Sequence, residues 1–325
     1  MPVNAFERAA SVDAITRPPS SREYAVDRSF RFLALGAAAL IIALVAYILW
    51  KIGGQALPAI YRYRLGFLAS TNWNVQEEKF GILPQIWGTL YSSLLALLIG
   101  GFFGLTVAIF LTQDFLPPRI ALVFRTIIDM LAAIPSVVFG LWGIFVVIPA
   151  IRPIANWLNE YLGWIPFFGT SLSGPGLLPA TLVLAIMILP TVAAISQDAL
   201  NLVPYRTKEA AYGMGTTRWE AILKVMLPTA AGGIASAMVL GFGRALGETM
   251  ALAMLIGNSN QISLSLFAPA QTLASLLASS FPEAGQIEVQ ALMYAALALL
   301  AITLVVNMMG TAILTLAQRG ISGRS

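Results

Sequence analysis

The chain has 325 residues, 58% hydrophobic and only 10% charged, with a formal net charge of +4. Soluble domains carry roughly 25% charged residues, so this deficit points into a bilayer. The sequence holds no cysteine and no histidine, which excludes disulfides, thiolate chemistry, Cys/His metal sites and histidine acid–base catalysis.

Residues 1–29 are polar and interrupted by Pro18-Pro19-Ser20-Ser21, and read as a disordered cytoplasmic tail rather than a cleavable signal. Apolar runs of about 18 residues or more then recur, each able to cross about 30 Å of hydrocarbon at about 1.5 Å per residue. The first is predicted from Phe30 to Trp50 and, with its polar connection, fills residues 30–83. The second opens at Pro84, where a missing N–H costs nothing, and ends near Thr112. The third runs from near Phe124 to near Pro149 with Pro135 inside it, and the fourth from Leu178 to Leu200 with Pro190 inside. The fifth starts at Pro228 and reaches Gly257. The sixth extends from Ile287 to Leu316 and leaves residues 319–325 as a second tail. Interior prolines of this kind mark bends. The expected fold is an all-α integral membrane protein of six transmembrane helices, with no internal repeat.

Lys and Arg set the orientation. With the amino terminus inside, thirteen fall on inner segments and five on outer ones, so both termini are predicted to be cytoplasmic. The outer stretch 150–177 carries Trp157, Trp164, Phe167 and Phe168, which suits an interfacial, partly re-entrant segment. No basic block is interleaved with aromatics, so no nucleic-acid partner is expected. No G-x-x-x-x-G-K-[ST] loop occurs either, so ATP hydrolysis is expected from a separate protein, and neither cofactor nor metal is expected.

The inner loop 201–227 carries the strongest pattern. Pro204 can open one short helix, and Gly213 or Gly215 can close it in a left-handed cap. Thr217 with Glu220 fits a capping box for a second, whose Trp219, Ile222, Leu223 and Met226 share a face. The turn presents Glu209, Ala210 and Ala211 to the cytoplasm. An ordinary amphipathic hairpin on the membrane surface is the bland alternative.

This loop resembles the signature of ABC-importer permeases, Glu-Ala-Ala, three residues, Gly, nine residues, Ile-x-Leu-Pro. Glu209-Ala210-Ala211, Gly215 and Leu227-Pro228 fall at those spacings, and Val225 replaces the Ile. Further stretches are similar to the phosphate-specific permeases of the PstC type. They are Trp73 with Phe80-Gly81, Gly88-Thr89-Leu90, Leu131 to Gly140 through Ile134-Pro135-Ser136, and Gly243-Arg244-Ala245-Leu246-Gly247-Glu248-Thr249-Met250. The resemblance implies a type I importer bundle in a bacterial inner membrane, with a permease core over residues 84–318. The implied partners are a paralogous PstA-type permease, two ATP-binding subunits and an extracytoplasmic phosphate-binding protein. It also implies that Glu209, Ala210, Ala211 and Gly215 form the coupling helix that docks on the ATPase.

The fifth span adds its own argument. Arg244 lies roughly 24 Å beyond Pro228 along a helix of 1.5 Å rise, deep in the membrane. An arginine there costs about 2.5–3.5 kcal/mol on insertion scales and needs a partner or a function. Glu248 follows at i+4, within salt-bridge reach, so the pair is either an anion site or a structural bridge. Arg244, Glu248, Thr249 and Ser136 are the expected substrate-path residues. Asp129 is expected to pair with Arg125, and the Gly233, Ala237, Gly241, Ala245 stripe to pack closely. A permease for molybdate or sulfate, or an ion-coupled secondary transporter, remains the alternative.

Overall fold

The computed structural model describes residues 20–113 and 115–322. Helices dominate, and the described residues contain two isolated β-bridges but no named strand. Six helices are long and apolar enough to cross a membrane. They are α1 (Ser21–Tyr63), α2 (Leu83–Thr112), α4 (Ser136–Leu162), α5 (Leu177–Asn201), α7 (Arg218–Leu246) and, through Ala312, α10 (Gln286–Ser322). Between them lie α3 (Pro118–Ala133), α6 (Tyr205–Gly213), α8 (Met250–Leu255) and α9 (Leu273–Ser280).

The chain divides into two compact units, Met1–Gly54 and Gln55–Ser325. In the first, α1 begins at Ser21 instead of Phe30, which corrects the expectation of a disordered tail for residues 21–29. The cause is a capping box. Ser20 Oγ accepts from the Glu23 N–H at 3.3 Å, and Glu23 Oε2 accepts from the Ser20 N–H at 2.5 Å. Residues 1–19 of the expected tail lie outside the described residues, as do residues 323–325 of the other; α10 continues helically to Ser322.

In the second unit α2 and α5 form the spine. A Cβ on Gly100 would stand 2.5 Å from the Ala185 carbonyl oxygen, so these two backbones approach closely through small residues. Leu184, Ile188 and Ala96 lead the largest buried cluster, which continues through Leu252, Leu255 and Ile256 around α8. The stripe Ala237, Gly241, Ala245 is buried, and a Cβ on Gly233 or Gly241 would run into Ala199 or Val192 of α5. The small residues of α7 therefore do pack.

Buried polar contacts fix the amino-terminal end of α2. Gln85 Nε2 donates to Asn260 Oδ1 and to Gln271 Oε1 at 2.9 Å each, and Thr89 Oγ1 accepts from the Leu273 N–H at 2.9 Å. Gly88 lies directly under this loop, and a Cβ there would overlap the Gln271 carbonyl oxygen. Gly88→Ala is expected to lower the melting temperature of the purified protein, since overpacking of this kind costs about 1–3 kcal/mol. An unchanged melting temperature would mean that the loop simply moves aside.

Prolines account for the misplaced boundaries. The expected third span is split at Ile134, whose ψ of 128° is extended, and Pro135, so α3 and α4 are separate helices. α4 does not end at Pro149. A π-helical turn at Gly143–Val147 immediately precedes Ile148-Pro149, and the helix continues to Leu162. A second π-helical turn at Ile222–Met226 precedes Leu227-Pro228, so the fifth spanning helix starts at Arg218 rather than at Pro228. The wider turn relieves the clash between a proline ring and the carbonyl four residues back. Trp157 is therefore helical rather than part of a re-entrant segment, while Trp164 and Phe168 follow in the connection. Arg125 and Asp129, both exposed on α3, form no ion pair among the described residues.

Candidate functional site

Between α5 and α7 the sequence folds into the expected helical hairpin. Pro204 (φ −56°, ψ 135°) sets the entry to α6. Gly215, at φ +81°, takes the left-handed turn that a side chain would strain, which decides the cap between the two glycines. The Thr217–Glu220 capping box is complete, with Glu220 Oε2 accepting from the Thr217 N–H at 3.0 Å. Glu209 and Ala210 are exposed, whereas Ala211 is only 7% exposed. Its carbonyl accepts from the Thr216 N–H at 3.3 Å and from Thr216 Oγ1 at 2.8 Å. Ala211 thus faces inward and corrects the expectation that all three residues are presented outward. Buried Leu200, Val203, Ile222 and Met226 anchor the hairpin to the helix ends.

One contact of the hairpin has no signature in the sequence. Arg218 Nη2 donates to the Gln113 carbonyl at 2.6 Å, and its guanidinium lies 4.3 Å from the centre of the Phe115 ring. Trp219 packs on the same ring with centroids 5.0 Å apart. The hairpin is thereby fastened to the end of α2, more than a hundred positions earlier, a distance no local spacing reports.

The expected Arg244–Glu248 bridge is absent among the described residues. α7 stops at Leu246, and Gly247 to Thr249 form a break before α8, so the i+4 geometry that would bring the two together is lost. Arg244 Nη1 instead donates to Thr191 Oγ1 of α5 at 2.9 Å, next to Pro190. Glu248 Oε1 accepts from the Ala251 N–H at 3.3 Å, capping α8, and Thr249 Oγ1 donates to the Gly247 carbonyl at 3.1 Å. Ser136 opens α4 immediately after the Pro135 break. The first turns of α4 pack on α8, where a Cβ at Gly140 would stand 3.4 Å from Ala251 Cα. Two helix breaks, one carrying Ser136 and the other Glu248 and Thr249, therefore flank one packed contact between α4 and α8. Arg244 lies on a separate surface, a groove of about 470 Å³ between α7 and α10.

Known proteins share both the sequence and the fold. Residues 104–323 match the family described as binding-protein-dependent transport system inner membrane component. The phosphate transport system permease protein PstC of Xylella fastidiosa strain Temecula1 is 38% identical over 292 residues, covering 88% of this chain and 89% of that protein. PstC of Haemophilus influenzae is 39% identical over 290 residues, covering 87% and 91%. A crystallised bacterial alginate ABC transporter, in complex with its alginate pentasaccharide-bound periplasmic protein, superimposes with a TM-score of 0.60 at 16% identity, over 88% of this chain and 94% of that one. The inward-facing MetNI methionine ABC transporter gives 0.54 at 18% identity, over 73% and 95%. Six spanning helices, the ABC-permease fold and this sequence match make the chain a multi-pass membrane protein that belongs to the family of inner membrane components of binding-protein-dependent transport systems.

Proposed function

We propose that the chain is one permease subunit of an ATP-driven importer of inorganic phosphate, and that with a related PstA-type permease it forms an alternating-access path. Two ATP-binding subunits drive it from the cytoplasm, and an extracytoplasmic binding protein delivers phosphate. Both termini lie in the cytoplasm. The PstC relatives support the substrate. The rigid hairpin that offers Glu209 and Ala210 at its surface carries the coupling role. A membrane protein without a nucleotide-binding loop needs such a docking point to receive work done elsewhere. Arg244, Glu248, Thr249 and Ser136 serve the path. Arg244 provides charge within a spanning helix, and the two helix breaks supply backbone polar groups at positions where a continuous helix would present none.

The test is reconstitution. Vesicles containing this chain, the related permease and the ATPase are expected to accumulate labelled phosphate only when ATP and loaded binding protein are both supplied. The chain by itself is expected neither to hydrolyse ATP nor to take up phosphate. Uptake by the single chain under a proton or sodium gradient would replace this reading with a secondary transporter.

A further inference from the structure

We propose that Asn307 of α10, together with Arg244 of α7, forms a binding site for a protonated tetrahedral oxyanion in the groove between the two helices. The proposal rests on the reading of Arg244 as a path residue and adds a second ligand and a chemical preference. The groove, about 470 Å³, takes Ser236, Gly243 and Arg244 from α7 and Thr303, Asn307 and Thr311 from α10. Its three hydroxyls are already engaged within their own helices. Ser236 donates to the Gly232 carbonyl at 2.9 Å, Thr303 to that of Leu299 at 2.8 Å, and Thr311 to that of Asn307 at 3.0 Å.

Two groups keep free hydrogen-bond donors. Arg244 gives one nitrogen to Thr191, which fixes the plane of the guanidinium and leaves the rest of its donors available. The Asn307 carboxamide makes no hydrogen bond among the described residues. It lies against Gly243, where a Cβ would stand 3.2 Å from Oδ1 and 3.7 Å from Nδ2. The glycine therefore leaves the carboxamide room directly beside the turn that carries Arg244. Arg244 is exposed and Asn307 half-buried on this groove, and polar groups within spanning helices are the default lining of a solute path.

Their chemistry selects the occupant. Phosphate near neutral pH carries at least one proton, so it needs an acceptor as well as donors. The guanidinium supplies charge and a planar set of donors, while the carboxamide supplies Nδ2–H donors and the Oδ1 acceptor. Sulfate has no proton to give Oδ1. Glu248, the acceptor nearest in sequence, lies beyond the end of α7, with Oε1 held at the start of α8. The pair accordingly fits phosphate or arsenate over sulfate.

The natural sequence makes the test clean, because it has no cysteine. In the assembled complex, Thr303→Cys, which lines the groove one turn from Asn307 and leaves both proposed ligands in place, is expected to react with a water-soluble cationic methanethiosulfonate. Millimolar phosphate or arsenate should slow that reaction at least threefold, and sulfate should not. Met308→Cys, whose native side chain is 61% exposed just outside the groove, is the unprotected control. Asn307→Leu should co-purify with its partners and lose at least tenfold in phosphate uptake. Protection of the Thr303→Cys thiol by sulfate as strong as by phosphate, or absence of any protection, would overturn the site. Normal uptake by Asn307→Leu alongside impaired Arg244→Lys would also overturn it, while leaving the path reading intact. Normal uptake by both would remove the path reading itself. If Asn307→Leu fails to assemble, the protection pattern decides alone.

Discussion

Arg244→Lys is expected to lower phosphate uptake by about one to two orders of magnitude in complexes that still assemble. Lysine keeps the charge, so the bundle retains its electrostatics. It cannot hold Thr191 with one prong of a rigid plane while offering others to an anion, because an ammonium is a point charge on a flexible stem. Losing one hydrogen bond to a charged group costs roughly 1.5–3 kcal/mol, which gives the stated range. The double exchange Arg244→Glu with Glu248→Arg separates this from a structural role. Since α7 ends between the two residues, the exchange is expected to rescue nothing. Labelled-phosphate uptake in purified, reconstituted mutants measures both. Near-normal transport by the lysine variant, or recovery in the exchange, would leave Arg244 a structural residue.

Glu209→Lys is expected to abolish most of the ATP hydrolysis that loaded binding protein elicits, with at least a roughly tenfold fall. The coupling role has Glu209 facing a basic groove of the ATPase, and like charges brought face to face at an interface cost several kcal/mol, more than this drop requires. The protein itself should be indifferent to the change. Glu209 is exposed and belongs to no ion pair among the described residues, so insertion and melting should match the parent. The hairpin is rigid enough to transmit force: Gly215 fixes its turn, Ala211 anchors it from within, and Arg218 fastens it to α2. Stimulated hydrolysis and uptake at parental levels would show that the ATPase docks elsewhere.

Much of this arrangement is legible in the sequence because composition and local capping dictate it. Spans α2 and α5 follow their apolar runs to within a residue or two, and the Thr217–Glu220 box forms as its spacing requires. The errors share a cause. Pro149 and Pro228 look like helix limits, but each follows a π-helical turn that absorbs the ring, and nothing in single-residue propensity announces such a turn. Arg244 and Glu248 have ideal helical spacing, yet Gly247 ends the helix between them. Asn307 escapes a reading by spacing because its importance comes from Gly243, some sixty positions earlier, and only packing of α10 on α7 brings them together. The same holds for Arg218 and Gln113.

The π-helical turn at Ile222–Met226 also sets a rotational phase. Each residue of an α-helix advances the side-chain direction by on the order of 100°, and a turn closed i to i+5 accommodates one residue more than its neighbours. The azimuth of everything beyond Met226 is therefore offset by about one residue from that of the capping-box end, around Arg218 and Glu220. The direction in which the hairpin leaves the helix and the direction in which Arg244 points are keyed to each other by that single extra residue. Regularising the turn by a one-residue deletion would swing one against the other by about a quarter of a revolution, with every side chain otherwise unchanged.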